Sequence, residues 1–409
     1  MSRVVIVGAG FGGLGAAHTL VQSSGARPQQ PSVTVVEAKD WFTIGGAWQY
    51  AWSGRVAVDA IDWPLEDARE HLPGVDLRLN TTVVAMDLSG KTVTLSDGAR
   101  LEYDHLVLSP GVVGDASGIE GMGDALDMYS HDSVERQAAD LADIVAKARA
   151  GETQTLVVAI GATPYKCPVA PFEAAFIADD TLRRAGCREN VRIVVTSPVP
   201  WPLPDPAKEV FTRLIAEKEV DFIPNAAVAK VTEGGTTVHF ADDVVPPISA
   251  SRVWAVYPQT APKFIKDAGI ANPKGFVPVD IRTNRVESAE GVYCIGDCCG
   301  IMVGAAPHPK AGEFAWQMGE MVANIIKASE GYEHVRLGAC IAECGAGAGV
   351  LVAPDFTAVV KDPTTGKPKC SVVDRKTDGE VAKIEWVNKY IKRIFGEGGR
   401  MFEPNASTA

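Results

Sequence analysis

Residues 4 to 13 read Val4-Val5-Ile6-Val7-Gly8-Ala9-Gly10-Phe11-Gly12-Gly13, and this stretch decides the fold class. Four β-branched residues in a row suit a buried parallel strand, and the glycines interrupt it at once. Leu14, Ala17, His18 and Leu20 then continue at helical spacing. Glycines placed between strand end and helix start leave the first helical amides free to face an anion. Gly8 permits the tight turn, Gly10 lets the backbone approach a pyrophosphate, and Gly13 lets helix and strand pack closely, with Phe11 and Gly12 completing the loop. A second β-rich run, Val33 to Val36, ends at Glu37. A carboxylate there can grip a ribose hydroxyl and disfavours a 2′-phosphate. Strand, loop, helix, strand and terminal acid together predict a dinucleotide site.

Composition bounds the rest. The chain has 409 residues, 46% apolar and 22% charged, which fits a globular protein of more than one core. No apolar run is long enough to span a bilayer, and the apolar opening is too short for a signal peptide, so a cytoplasmic location is expected. A net charge of −12 argues against nucleic acid as a partner. Eight cysteines are too few for a secreted disulfide scaffold. Self-association is left open.

A second strand pattern at Thr155 to Ile160 leads into Gly161-Ala162-Thr163-Pro164-Tyr165-Lys166. Only the first glycine of a phosphate loop remains, and Pro164 has no amide to donate, so this half is not expected to bind NAD(P)H. Cys167 follows directly, ahead of a helical pattern carrying Glu173. A neighbouring cation and a helix N-terminus both favour thiolate over thiol, which marks Cys167 as a reactive candidate.

Two further turns, Ser109-Pro110-Gly111 after a strand pattern and Gly296-Asp297 after Val292 to Ile295, resemble signatures of the flavoproteins with two dinucleotide domains. In that resemblance Pro110, Gly111, Gly296, Asp297 and Lys310 join the first loop and Glu37 in holding FAD. The run from Lys166 to Glu173, with Pro309-Lys310-Ala311-Gly312 and Ala339-Cys340-Ile341-Ala342-Glu343, resembles the sulfide:quinone oxidoreductases and the flavoprotein of flavocytochrome c sulfide dehydrogenase. The resemblance implies a redox pair of Cys167 and Cys340 against the flavin. Sulfide would attack it, a sulfane-sulfur product would form, and the electrons would pass to quinone. Lys166 would favour the charged sulfur, and Glu173 either shuttles protons or simply stabilises its helix. Many relatives carry a third cysteine where this chain reads Tyr129-Ser130-His131-Asp132, so a two-cysteine scheme is expected.

The fold class that follows is α/β: two Rossmann-like dinucleotide-binding domains plus a C-terminal extension. The FAD domain comprises residues 1–114 and 271–330 and is interrupted by a degenerate second domain at 115–270, with a C-terminal region at 331–409. Trp386, Tyr390, Ile391 and Ile394 recur at helical spacing with Lys389, Lys392 and Arg393 around them. Such a segment, 386–395, suits either peripheral docking on a membrane or packing on the core. His308 and Lys310 are candidates for the flavin or quinone end. Cys294, Cys298 and Cys299 lack a metal-binding spacing and read as packing residues, while Cys344 is close enough in sequence to compete with Cys340. Alternative readings are a sulfide dehydrogenase subunit feeding a cytochrome, a type-II NADH:quinone oxidoreductase, and a flavoprotein sensor without turnover.

Overall fold

The strand Arg3–Val7 lies at the centre of a five-stranded parallel sheet, in the order Val292–Cys294, His105–Leu108, Arg3–Val7, Ser32–Val36, Val75–Arg78. The computed structural model describes residues 2–22, 30–304, 306–329 and 331–405. Val4 to Val7 are all buried, as the β-branched run requires. Strand order reverses between Val7 and Leu108, and a crevice opens there at the carboxyl ends of the strands. Gly8 occupies its lip with φ +98°, and a Cβ on it would stand 2.3 Å from the Ser109 carbonyl oxygen. Only glycine fits that turn.

A second five-stranded parallel sheet has the order Leu126–Asp127, Arg252–Val256, Gln154–Ile160, Val191–Thr196, Val220–Ile223. Each large sheet is accompanied by a three-stranded antiparallel one, Val83–Asp87 with Thr92–Leu95 and Arg100–Glu102, and Val228–Thr232 with Thr237–Phe240 and Ile248–Ser249. The edge strand Val292–Cys294 of the first sheet comes from beyond the second sheet, so the chain leaves the first unit and returns to it.

The two units differ at the loop that matters. The helix after Val7 starts at Phe11, whereas the helix after Ile160 starts only at Ala170. The intervening residues turn towards the first sheet, where Lys166 pairs with Lys310 as a parallel β-bridge.

Helix Phe11–Val21 crosses helix Gly312–Ile326 at very short range: a Cβ on Gly319 would lie 2.2 Å from the Gly12 carbonyl oxygen. After Gly338 the chain forms an antiparallel sheet of Cys340–Gly345, Ala348–Asp355 and Lys369–Arg375, then helix Gly379–Phe395. Val387, Tyr390, Ile391, Ile394 and Phe395 of that helix are buried. Tyr390 meets Phe11 edge-on at 4.8 Å between ring centroids and Trp316 at 5.5 Å. The apolar face of 386–395 is therefore docked on the core, one of the two placements that its periodicity allows. Among the described residues no helix is long and apolar enough to cross a membrane.

Candidate active site

A cavity of about 390 Å³ starts at the Gly8–Gly12 loop and ends at the two predicted cysteines. Its walls include Gly8, Gly10, Phe11, Gly12, Glu37, Pro110, Gly111, Gly296, Asp297 and Lys310, so every residue expected at the dinucleotide except Gly13 lines it. Gly13 lies behind, where a Cβ would collide with the Gly8 carbonyl oxygen. Glu37 accepts from the Ala9 amide at 2.6 Å and the Lys39 amide at 3.0 Å, which fixes its carboxylate at the rim. Gly10 and Gly111 have no atom within 4 Å of an added Cβ, leaving bare backbone open to a large ligand. Burial raises the Asp297 carboxyl while Lys166 and Lys310 oppose that rise. Lys310 donates to the carbonyls of Asp297 and Cys299, and its own carbonyl accepts from the Cys167 amide at 2.8 Å. It thus braces two loops of the cavity.

At the far end Cys167 and Cys340 are free thiols, partly exposed to the cavity and within hydrogen-bonding reach of one another. Cys167 adopts φ +48°, a conformation uncommon outside glycine, and its carbonyl accepts from the Tyr129 hydroxyl at 2.9 Å. Cys340 opens the strand Cys340–Gly345. The bond from Cys340 holds the Cys167 thiol below its ordinary range, with Lys383 adding to the effect, and pushes Cys340 up. The pair is thus polarised into one thiolate-like and one thiol-like sulfur.

The cation acting on the pair is Lys383, which sequence reasoning missed. The Lys166 ammonium instead lies over the rings of Tyr129 and Trp48, at 5.6 and 5.9 Å, and acts on Asp127 and Asp297. Lys383 is buried in an ion pair with Glu173. Burial alone would favour the neutral amine, but the Glu173 carboxylate outweighs it and holds Lys383 above the usual lysine value. Glu173 also accepts from the Glu343 amide at 2.7 Å and from Gln49 at 3.2 Å. It is a cross-chain hub and not merely a first-turn acid. The signal for Lys383 was its register: it falls on the stripe continued by Val387, Tyr390 and Ile394, a lone cation on a buried face.

The remaining candidates lie elsewhere. His308 is buried between Phe314 and Phe356, and burial lowers it to about 3. Cys294 and Cys298 sit 3.2 Å apart beneath the Gly296 turn, and Cys299 donates to the Cys294 carbonyl. No metal-holding group of histidine, cysteine and acid exists among the described residues. Cys344 is buried off the cavity, its thiol pushed up to about 12 by burial, so it does not compete with Cys340.

Residues 2–319 match the pyridine nucleotide-disulphide oxidoreductase family, and the chain belongs to it. It is an FAD-dependent oxidoreductase, and the glycine-lined cavity with Glu37 at its rim fits that cofactor. Among known proteins it is similar to the mitochondrial sulfide:quinone oxidoreductase of Dictyostelium discoideum, 25% identical over 317 residues, covering 73% of this chain and 65% of that protein. The match therefore spans just under two thirds of that relative. The sulfide-quinone reductase of Aquifex aeolicus is 25% identical over 380 residues, 86% of this chain and 83% of that protein. The solved sulfide:quinone oxidoreductase structure from Aquifex aeolicus superposes with a TM-score of 0.81 at 20% identity, covering 98% of this chain and 92% of that one.

Proposed function

We propose that this chain oxidises sulfide to sulfane sulfur through Cys167 and Cys340 and passes the electrons to a quinone. The observation that carries the reading is the meeting of two sequence-distant, polarised thiols at the end of the glycine-lined cavity. The similarity to sulfide:quinone oxidoreductases supports the same substrates. Bound FAD supplies a two-electron acceptor; the chain's own residues do the rest. With the pair closed as a disulfide, hydrosulfide forms a bond to one cysteine sulfur as the Cys–Cys bond breaks and its electron pair leaves on the other. Lys383 favours that pair leaving on Cys167. Lys310 holds the Cys167 backbone in place through its carbonyl. Phe11, Ile44, Gly45, Gly46 and Trp386 line another stretch of the cavity and supply apolar surface for a quinone ring. We divide the chain into an FAD domain, 1–114 with 271–330, a second domain, 115–270, and a C-terminal region, 331–409.

Type-II NADH:quinone oxidoreductases are also similar, the Staphylococcus saprophyticus protein being 22% identical over 335 residues. The late helix start at Ala170 disfavours that reading, because no helical amides stand at the end of strand Gln154–Ile160 to receive a pyrophosphate. Anaerobic mixing of the FAD-loaded protein with sulfide or NADH separates the two: sulfide should bleach the flavin and NADH should not. Rapid bleaching by NADH alone would overturn the assignment.

A further inference from the structure

Three further thiols lie together, and the scheme above uses none of them. Cys294 ends the edge strand Val292–Cys294, and Cys298 and Cys299 follow the Gly296–Asp297 turn that lines the cofactor cavity. Exposure is 0% for Cys294 and Cys298 and 4% for Cys299. The Cys294 and Cys298 sulfurs are 3.2 Å apart, and Cys299 is within hydrogen-bonding reach of both. A disulfide holds its sulfurs at about 2.05 Å, so a small side-chain movement would join the first two.

Cys299 also lines a side cavity of about 10 Å³, room for one water-sized molecule, which shares Gly296, Asp297 and Lys310 with the cofactor cavity. Cys294 and Cys298 do not line it. His308, 5% exposed, forms part of the wall; its Nδ1 bonds to the Pro309 carbonyl at 2.8 Å, and its Nε2 has no partner. A neutral imidazole that donates through Nδ1 presents a lone pair at Nε2, so this wall is ready for a small molecule with an O–H to give.

Of the three thiols, Cys299 is the best prepared to react. Its sulfur accepts from Asn284 Nδ2 at 3.5 Å, and Asn284 in turn accepts from the buried Arg336 at 3.1 Å. Burial favours the neutral thiol, as does the Cys294 carbonyl, which accepts the Cys299 S–H at 2.8 Å. The contacts with Cys294 and Cys298 and the Lys310 and Arg336 cations outweigh burial and hold Cys299 well below the ordinary thiol range. Burial pushes Cys294 up.

We propose that Cys294, Cys298 and Cys299 are a second thiol site, oxidised by hydrogen peroxide that enters the side cavity, and that a Cys294–Cys298 disulfide then straps the Gly296–Asp297 turn. The Cys299 sulfur bonds to one peroxide oxygen as the O–O bond breaks, and the thiol proton leaves with the other oxygen as water. Cys294 attacks the Cys299 sulfur: an S–S bond forms, the S–O bond breaks, and the hydroxyl leaves with the Cys294 proton as a second water. Cys298 then displaces Cys299 from Cys294, its proton passing to Cys299. In sum two thiols lose two electrons to one peroxide. The inference does not rest on the sulfide reading, whose cysteines lie on other stretches of the chain.

All three cysteines fall in one tryptic peptide, 286–310, which contains no other. The FAD-loaded protein is treated with hydrogen peroxide, denatured, alkylated with iodoacetamide, digested and mapped by mass spectrometry. The peptide should carry three labels before peroxide and one afterwards, on Cys299, with the other two sulfurs joined; dithiothreitol should restore all three. Cumene hydroperoxide, too bulky for the side cavity, should leave every thiol free. In Cys294→Ser no bridge should form, and Cys299 should go on to the sulfinic acid. Three labels after peroxide, overoxidation of the unsubstituted peptide without a bridge, or equal bridging by the two peroxides would overturn the proposal. The unsubstituted protein decides the question even if Cys294→Ser does not fold.

Discussion

Replacing Lys383 by methionine removes the cation from a pair whose side chains are only 4% and 5% exposed. A carboxylate left without its partner at such depth costs about 3–5 kcal/mol, because water cannot return to solvate it. Replacing both partners, Lys383→Met with Glu173→Gln, removes the orphaned charge and should recover at least half of that loss. The double variant leaves only a packing defect, because the amide carbonyl at position 173 can still accept from Gln49 and from the Glu343 amide. Urea unfolding of the FAD-loaded proteins, read by flavin and by tryptophan emission, provides the four stabilities of the cycle. The same substitution should move alkylation of Cys167 to higher pH, since Lys383 helps hold its thiol down. Because the folded state raises the Lys383 value, the stabilisation is complete below the ordinary lysine range, about 10.4, and fades as pH rises through the raised value. Costs that simply add, or a single-variant loss below about 1 kcal/mol, would refute the electrostatic account of this pair.

Cys167→Ser and Cys340→Ser should each retain FAD and lose sulfide-driven bleaching at least about a hundredfold, measured by stopped-flow absorbance. Gly8→Ala places a methyl 2.3 Å from the Ser109 oxygen at φ +98° and should yield protein that purifies without yellow colour. Trp386→Ala should raise the KM for a short-chain quinone while leaving sulfide bleaching in the absence of quinone unchanged, as followed by quinone-coupled turnover. His308 is held neutral down to about 3 against about 6.5 unfolded, so the unfolded chain binds the extra proton first. Its contribution to stability falls as pH drops through that window, by at most about 1.4 kcal/mol per pH unit, and His308→Asn should flatten the acid side of a thermal-melting profile.

The first sheet and its loop were legible because their causes are local: a β-branched run, glycines at fixed offsets, and an acid at the next strand end. The second loop departs from the first in sequence, where Pro164 interrupts the glycines, and in structure, where the helix begins only at Ala170. The surroundings of the thiols were not. Lys166 adjoins Cys167 in sequence, yet a side chain of that length is free to turn onto aromatic rings, whereas Lys383 reaches the sulfurs only because strand Cys340–Gly345 packs between two helices. Nor can periodicity tell whether a helix's apolar stripe faces lipid or protein, which is why residues 386–395 admitted both readings.

The bridge between Lys166 and Lys310, reinforced by the Cys167 amide bond to the Lys310 carbonyl, stitches the loop of one sheet to the loop of the other. On the proposed scheme, a swivel of the two halves would have to break that seam before it could carry Cys167 away from the cavity. While it holds, the thiols stay where the cavity ends, and small reactants reach them through it.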